Sequence, residues 1–136
     1  MTGDQVHELF QAYEAAFNAR DPAAVAELFD EVSAIVDGER TVVFPQRDAL
    51  RDSLRELISY YRSIGFISAQ PVRLDIEHVS NEAAEVDVTW RMRLERGDTE
   101  FSTRYWLVSR EGVPRVAAVL AYSEASSLLS DAAPDD

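Results

Sequence analysis

The chain contains no cysteine, which excludes disulfides, thiolate nucleophiles and zinc–thiolate sites together. Its five glycines are scattered, so there is no phosphate-cradling loop, no dinucleotide fingerprint and no Gly-x-Ser-x-Gly nucleophile elbow. The two histidines, His7 and His78, stand far apart without a ligand-spaced partner, which argues against a metal site. No cofactor is expected. Basic residues are few, 13 Lys plus Arg against 25 Asp plus Glu, for a formal charge of −12. Phosphate backbones and anionic membranes need clustered Lys and Arg, so no nucleic-acid and no membrane partner is expected. No apolar run approaches the roughly 20 residues that cross a bilayer. The opening Met-Thr-Gly-Asp-Gln has neither the basic nor the apolar segment of a secretory signal,. The expected compartment is the cytoplasm.

What is present is an ordinary globular pattern. At 136 residues the expectation is one domain, over 1–125, followed by a disordered acidic tail over 126–136,. Thr2 and Gln5 have capping-box spacing, and Val6, Leu9, Phe10, Tyr13, Ala16 and Phe17 then fall on one helical face,. Asn18 to Pro22 breaks this helix. Asp21-Pro22 sets an N-cap before a first-turn proline, so a second helix starts at once, with Val25, Leu28 and Phe29 as its stripe,. Val32 to Val36 is β-prone, Asp37-Gly38 signals a turn, and Arg40 to Phe44 reads as a return strand stopped by Pro45,. Arg47 to Ile64 is helical again, through Leu50, Leu54, Leu57, Ile58 and Tyr61, with Gly65 as C-cap,.

After Gly65 the chain alternates. Val72, Leu74, Ile76 and His78 interleave with Arg73, Asp75 and Glu77; after a turn at Asn81-Glu82, Val86, Val88, Trp90, Met92 and Leu94 interleave with Asp87, Thr89, Arg91 and Arg93. Gly97-Asp98 reads as a two-residue hairpin loop, which sets Trp90 opposite Tyr105, Arg91 opposite Arg104 and Thr89 opposite Trp106. A turn at Glu111-Gly112 precedes a last strand, Arg115 to Ser123. This order predicts an α+β fold: three N-terminal helices packed on a strongly curved, mostly antiparallel sheet, forming a cone with a pocket at its open end.

The helix, the Asn18-Ala-Arg-Asp21-Pro22 break, the short helix, the strand and the segment Phe44-Pro-Gln-Arg-Asp-Ala-Leu50 resemble the nuclear transport factor 2-like superfamily, over roughly Val6 to Glu124. That superfamily holds isomerases, dehydratases, cyclases, epoxide hydrolases and non-catalytic scaffolds, so the resemblance implies a fold before a function. Within it, Tyr13 to Asp21 is similar, without gaps, to the tyrosine-bearing helix of ketosteroid isomerases. The resemblance then implies Asp37 as a proton-accepting base and Tyr13 as an oxyanion-hole phenol. Their protonated acid belongs on the strand holding Arg104, Tyr105 and Trp106, none of which is an acid.

The candidate catalytic residues are therefore Asp37 and Tyr13, with Phe17, Tyr61, Trp90, Arg104, Trp106 and Tyr122 as ligand contacts. Two arrangements of the sheet stay open. With the apolar face inward, Trp90 and Tyr105 line the pocket and the ligand is small and apolar. The ungapped resemblance instead turns Arg91, Arg104, Trp106 and Val108 inward, favouring an anionic ligand or an Arg–Asp pair with Asp37. The outer sheet face of such folds often forms a dimer interface, so a homodimer through that face is expected. Asp37-Gly38 is equally a plain turn, and Tyr13 equally a packed helix-face aromatic. Two functions follow: a cofactor-free acid–base enzyme of isomerase, dehydratase or cyclase type on an apolar organic substrate, or a non-catalytic ligand-binding or dimerisation module.

Overall fold

The computed structural model describes residues 1–121; Tyr122 and the expected tail lie outside them. Three helices, α1 (Gly3–Asn18), α2 (Pro22–Ala26) and α3 (Arg47–Ser63), pack on a sheet of β1 (Phe29–Val36), β2 (Thr41–Phe44), β3 (Phe66–Val79), β4 (Ala83–Leu94), β5 (Gly97–Arg110) and β6 (Val113–Ala121). The strand order is β2-β1-β6-β5-β4-β3. All pairings are antiparallel except β1 with β6. The sheet is curved and unclosed, and the expected α+β cone is what forms.

Local chemistry accounts for the helical layer. Thr2 and Gln5 close the capping box, the Thr2 side chain accepting from Gln5 N at 3.2 Å and Thr2 N donating to Gln5 Oε1 at 2.9 Å. Asp21 caps α2 through Ala24 N at 3.0 Å, and Pro22 opens it. Phe29 begins β1 and does not extend α2; the short helix stops at Ala26, and Leu28 O binds Val116 N at 2.9 Å, drawing the chain onto β6. Between α1 and α2, Arg20 takes φ +55° and its guanidinium reaches the carbonyls of Asn18, Phe66 and Ile67. Asn18 donates to Ala69 O and accepts from Ala69 N, both at 2.8 Å. Strand β3 is a sheet edge there, so one side-chain amide supplies the pairing of a missing strand.

The β4–β5 hairpin departs from the expected register. Leu94 pairs with Gly97, so the loop is Glu95-Arg96, and Trp90 faces Phe101, Arg91 faces Glu100 and Asp87 faces Arg104. Gly97, at φ +133°, follows the loop and is not its first residue. Because Tyr105 and Phe101 are an even number of residues apart, the slip changes partners without exchanging faces. Val86, Val88, Trp90, Met92 and Leu94 are all buried under the helices. The apolar face is the inner one. Outside, Arg104 grips Asp87 through two hydrogen bonds of 2.8 Å, and Arg91 grips Glu100.

Asn18→Ala should destabilise the fold by about 2–3 kcal/mol, because it strands a part-buried N–H and C=O together. Urea denaturation checks this; a loss under about 0.5 kcal/mol, the scale of an inert surface change, would mean that the edge of β3 does not depend on Asn18.

Candidate functional site

Helices α1 and α3 do not fill the concave face of the sheet. They leave a cavity of about 390 Å³, within the range of about 300–1,000 Å³ common for small-molecule sites. Phe17, Phe29, Leu54, Met92 and Phe101 make much of its wall, and Trp90, Tyr13, Tyr61 and Tyr105 add rings that carry polar atoms. Tyr13 and Phe17 reach the wall together because residues four apart share a helix face. The ring of Tyr13 stands 5.7 Å from Trp90, 5.6 Å from Tyr105 and 6.2 Å from Phe29.

Trp90 Nε1 donates to Tyr105 Oη at 3.0 Å in a buried contact, and the Tyr13 ring packs edge-on against Tyr105. The phenol of Tyr13 is a donor on the cavity wall,. Tyr61, on α3, is only 7% exposed and lines the same space, yet its hydroxyl has no hydrogen-bond partner among the described residues. Burial pushes Tyr13 up to about 12 and raises Tyr61 and Tyr105 as well. All three are neutral donors at physiological pH. Thr103 and Ser53 add two more hydroxyl-bearing side chains to the wall.

Asp37 and Arg40, from the β1–β2 turn, lie on the rim. Asp37 Oδ1 accepts from Glu39 N at 2.8 Å and Arg40 N at 3.0 Å, and Asp37 N donates to Arg40 O at 3.0 Å. Those two N–H groups hold the Asp37 carboxyl below its ordinary range. Among the described residues, no group of three His, Cys, Asp or Glu side chains could hold a metal ion, and no helix is long and apolar enough to cross a membrane.

A family model described as NTF2-like protein (DUF6841) matches residues 4–124. The chain belongs to this NTF2-like family. No curated protein matches it. Its fold is similar to an NTF2-like protein of unknown function from Shewanella oneidensis, with a TM-score of 0.75 and 15% identity over 90% of this chain and 99% of that one. It is also similar to Rv3472, a function-unknown protein from Mycobacterium tuberculosis, with a TM-score of 0.70 and 18% identity over 86% and 72% of the two chains. An NTF2-like protein of unknown function from Pseudomonas putida is similar too, with a TM-score of 0.70 at 13% identity over 86% and 82% of the two chains.

In this NTF2-like chain, Asp37, Tyr13, Phe17, Tyr61 and Trp90 all line one cavity. Arg104 and Trp106 do not: they alternate with the inward Thr103, Tyr105 and Leu107 and face outward, where Arg104 is paired to Asp87 and Trp106 lies between Glu85 and Ala118. Tyr122 lies outside the described residues. Arg40, Ser53 and Thr103 were not among the expected site residues. For Thr103 the signal existed, since it shares strand parity with Tyr105; for Arg40, in a turn, the sequence carries none.

The raised phenols predict a pH dependence. An unfolded tyrosine releases its proton near about 10, and the native Tyr13 near about 12. Between those values the native state binds the extra proton, so stability is unaffected below the window and falls as pH rises through it. Tyr13→Phe should lose less stability across that window than the unaltered chain. Parallel losses in urea titrations of the two would contradict the burial of this phenol.

Proposed function

We propose that the protein binds a small, largely apolar organic molecule in this cavity, and that a polar atom of the molecule accepts from the Tyr13 and Tyr61 hydroxyls. The observation that carries the reading is the aromatic-walled cavity itself, lined by Tyr61, whose hydroxyl makes no hydrogen bond to the protein. A hydroxyl on an apolar cavity wall has no protein acceptor to meet, and a bound molecule supplies one. The aromatic walls supply the affinity through apolar burial.

A second reading has its own support: Tyr13 and Asp37, the pair suggested by ketosteroid isomerases, do line one cavity. In it Asp37 accepts a proton and Tyr13 steadies the developing oxyanion, giving a cofactor-free isomerase, dehydratase or cyclase chemistry. The lowered Asp37 carboxyl weighs against it, because a weakly basic carboxylate is a poor proton acceptor. Binding is the reading the geometry supports best. A homodimer through the outer sheet face accompanies it as a proposal, and sedimentation of a monomer at micromolar concentration would remove that part.

The test is a fluorescence titration with a planar phenol in a Trp106→Phe background, so that the signal comes from Trp90 on the cavity wall. Saturable binding is expected, weakened about fivefold by Tyr61→Phe, the net effect of one hydrogen bond of about 1 kcal/mol. Asp37→Asn should leave the affinity within about twofold. A tightening of about tenfold in Asp37→Asn would instead favour the acid–base reading, since a neutral base site binds an intermediate mimic better. No binding at all would end both.

A further inference from the structure

Every basic residue of the chain is an arginine, and nearly all are engaged. On the sheet, Arg73, Arg91, Arg93, Arg104 and Arg110 pair with carboxylates. On α3, Arg51 and Arg55 do the same. Arg20, Arg47 and Arg115 donate to backbone carbonyls. Among the described residues only Arg40, Arg62 and Arg96 have guanidinium groups with no hydrogen bond or ion pair. Of these, Arg40 alone lines the cavity.

Its position is not accidental mobility of a long loop. The turn is tied by the Asp37 Oδ1 bonds to Glu39 N and Arg40 N and by the backbone bond from Asp37 N to Arg40 O. The Arg40 backbone is therefore fixed on the rim while its fork of donors is free. In a protein with 25 acidic residues against 13 basic ones, a cavity-lining guanidinium without a hydrogen bond or ion pair is the exception. Asp37 turns its Oδ1 into the backbone and forms no ion pair with Arg40, although the Arg40 charge helps to lower its carboxyl.

We propose that Arg40 receives the carboxylate end of an amphipathic ligand whose apolar body fills the cavity. This rests on the cavity's being a ligand site, as proposed above, and adds the ligand's class: a ring-bearing or branched apolar acid. A guanidinium matches a carboxylate through two parallel N–H bonds. An exposed arginine alone holds a free anion weakly, so the apolar wall supplies retention and Arg40 supplies orientation and selectivity. Asp37 and Glu39 flank the site and oppose an anion, and the expected preference is what remains after that repulsion.

The experiment is calorimetric titration of the full chain at neutral pH with two ligands of one shape, naphthylacetate and its neutral amide, naphthylacetamide. The unaltered protein should bind the acetate about tenfold tighter than the amide, the effect of one charge-assisted bidentate contact. Arg40→Gln should abolish the preference and leave the affinity for the amide unchanged, which also shows that the variant is folded. Arg40→Lys should restore only part of it. Equal binding of both ligands by the unaltered protein, or a preference that survives Arg40→Gln, overturns the inference and leaves the ligand cavity standing. Binding of neither ligand overturns both.

Discussion

The pairing of the Asn18 amide with both backbone groups of Ala69 is the joint on which the rest of the molecule turns. A helix packed on a sheet edge ordinarily leaves that edge's N–H and C=O groups to water. Here a single side chain satisfies one such residue on both sides, and the neighbouring Arg20 guanidinium takes the carbonyls of Phe66 and Ile67. The end of α1 is thereby pinned to β3 at the moment the chain reverses into α2. With that end held, the first turns of α1 pack on the sheet through Val6, Leu9 and Phe10, while Tyr13 and Phe17 from the same helix stand on the cavity wall.

The cavity has consequences for the groups inside it. Rings with polar tips line the space, and each tip must find a partner or wait for one. Trp90 and Tyr105 find each other, and the Tyr13 phenol is left to the cavity that it lines. Tyr61 waits. Burial raises all three phenols while the turn lowers Asp37, so the inner groups are firm donors and the rim carboxylate is a firm anion. Proton transfer works best between groups whose affinities are brought together near neutrality; here the environment drives them apart. The same arrangement is well suited to recognition, because neither partner changes charge across the physiological range.

Much of the fold was legible in the residues. Capping chemistry at Thr2 and Asp21 and the two-residue alternation of Val86 to Leu94 are local signals with local causes, and they placed helices and strands correctly. The β4–β5 loop was not, because a glycine next to an aspartate satisfies the turn signal whether it sits in the loop or just after it; Gly97 takes its positive φ on the strand side. The choice of sheet face was undecidable for a different reason. Each strand face carried a coherent story, one apolar and one arginine-rich, and only the cross-strand partners of Arg91 and Arg104, namely Glu100 and Asp87, show that those arginines are answered outside. An arginine's meaning depends on its partner, and partners across a hairpin depend on register. Thr103 could have been found from strand parity; Arg40 could not, because a turn residue's direction follows from hydrogen bonds that its own sequence neighbours do not announce.

That dependence on partners also separates Arg40 from Arg104 in physical kind. Arg104 lies in a ladder of opposite charges on a half-exposed face, where its fork is closed by Asp87 and where an incoming anion would first have to displace a bidentate contact. Arg40 lies where the backbone carries the hydrogen bonds and the guanidinium makes neither a hydrogen bond nor an ion pair. An exposed pair contributes little to stability, so leaving Arg40 unpaired costs the fold almost nothing, whereas the Tyr61 hydroxyl stands on an apolar wall without a protein partner. The two open groups therefore report different pressures. The inner one is a donor that a bound molecule can meet, and the rim one is a donor that the fold can hold ready at little cost. A molecule that answers both would be apolar along its length and polar at its two ends, which is what a deep aromatic wall with one open cation at its edge can distinguish.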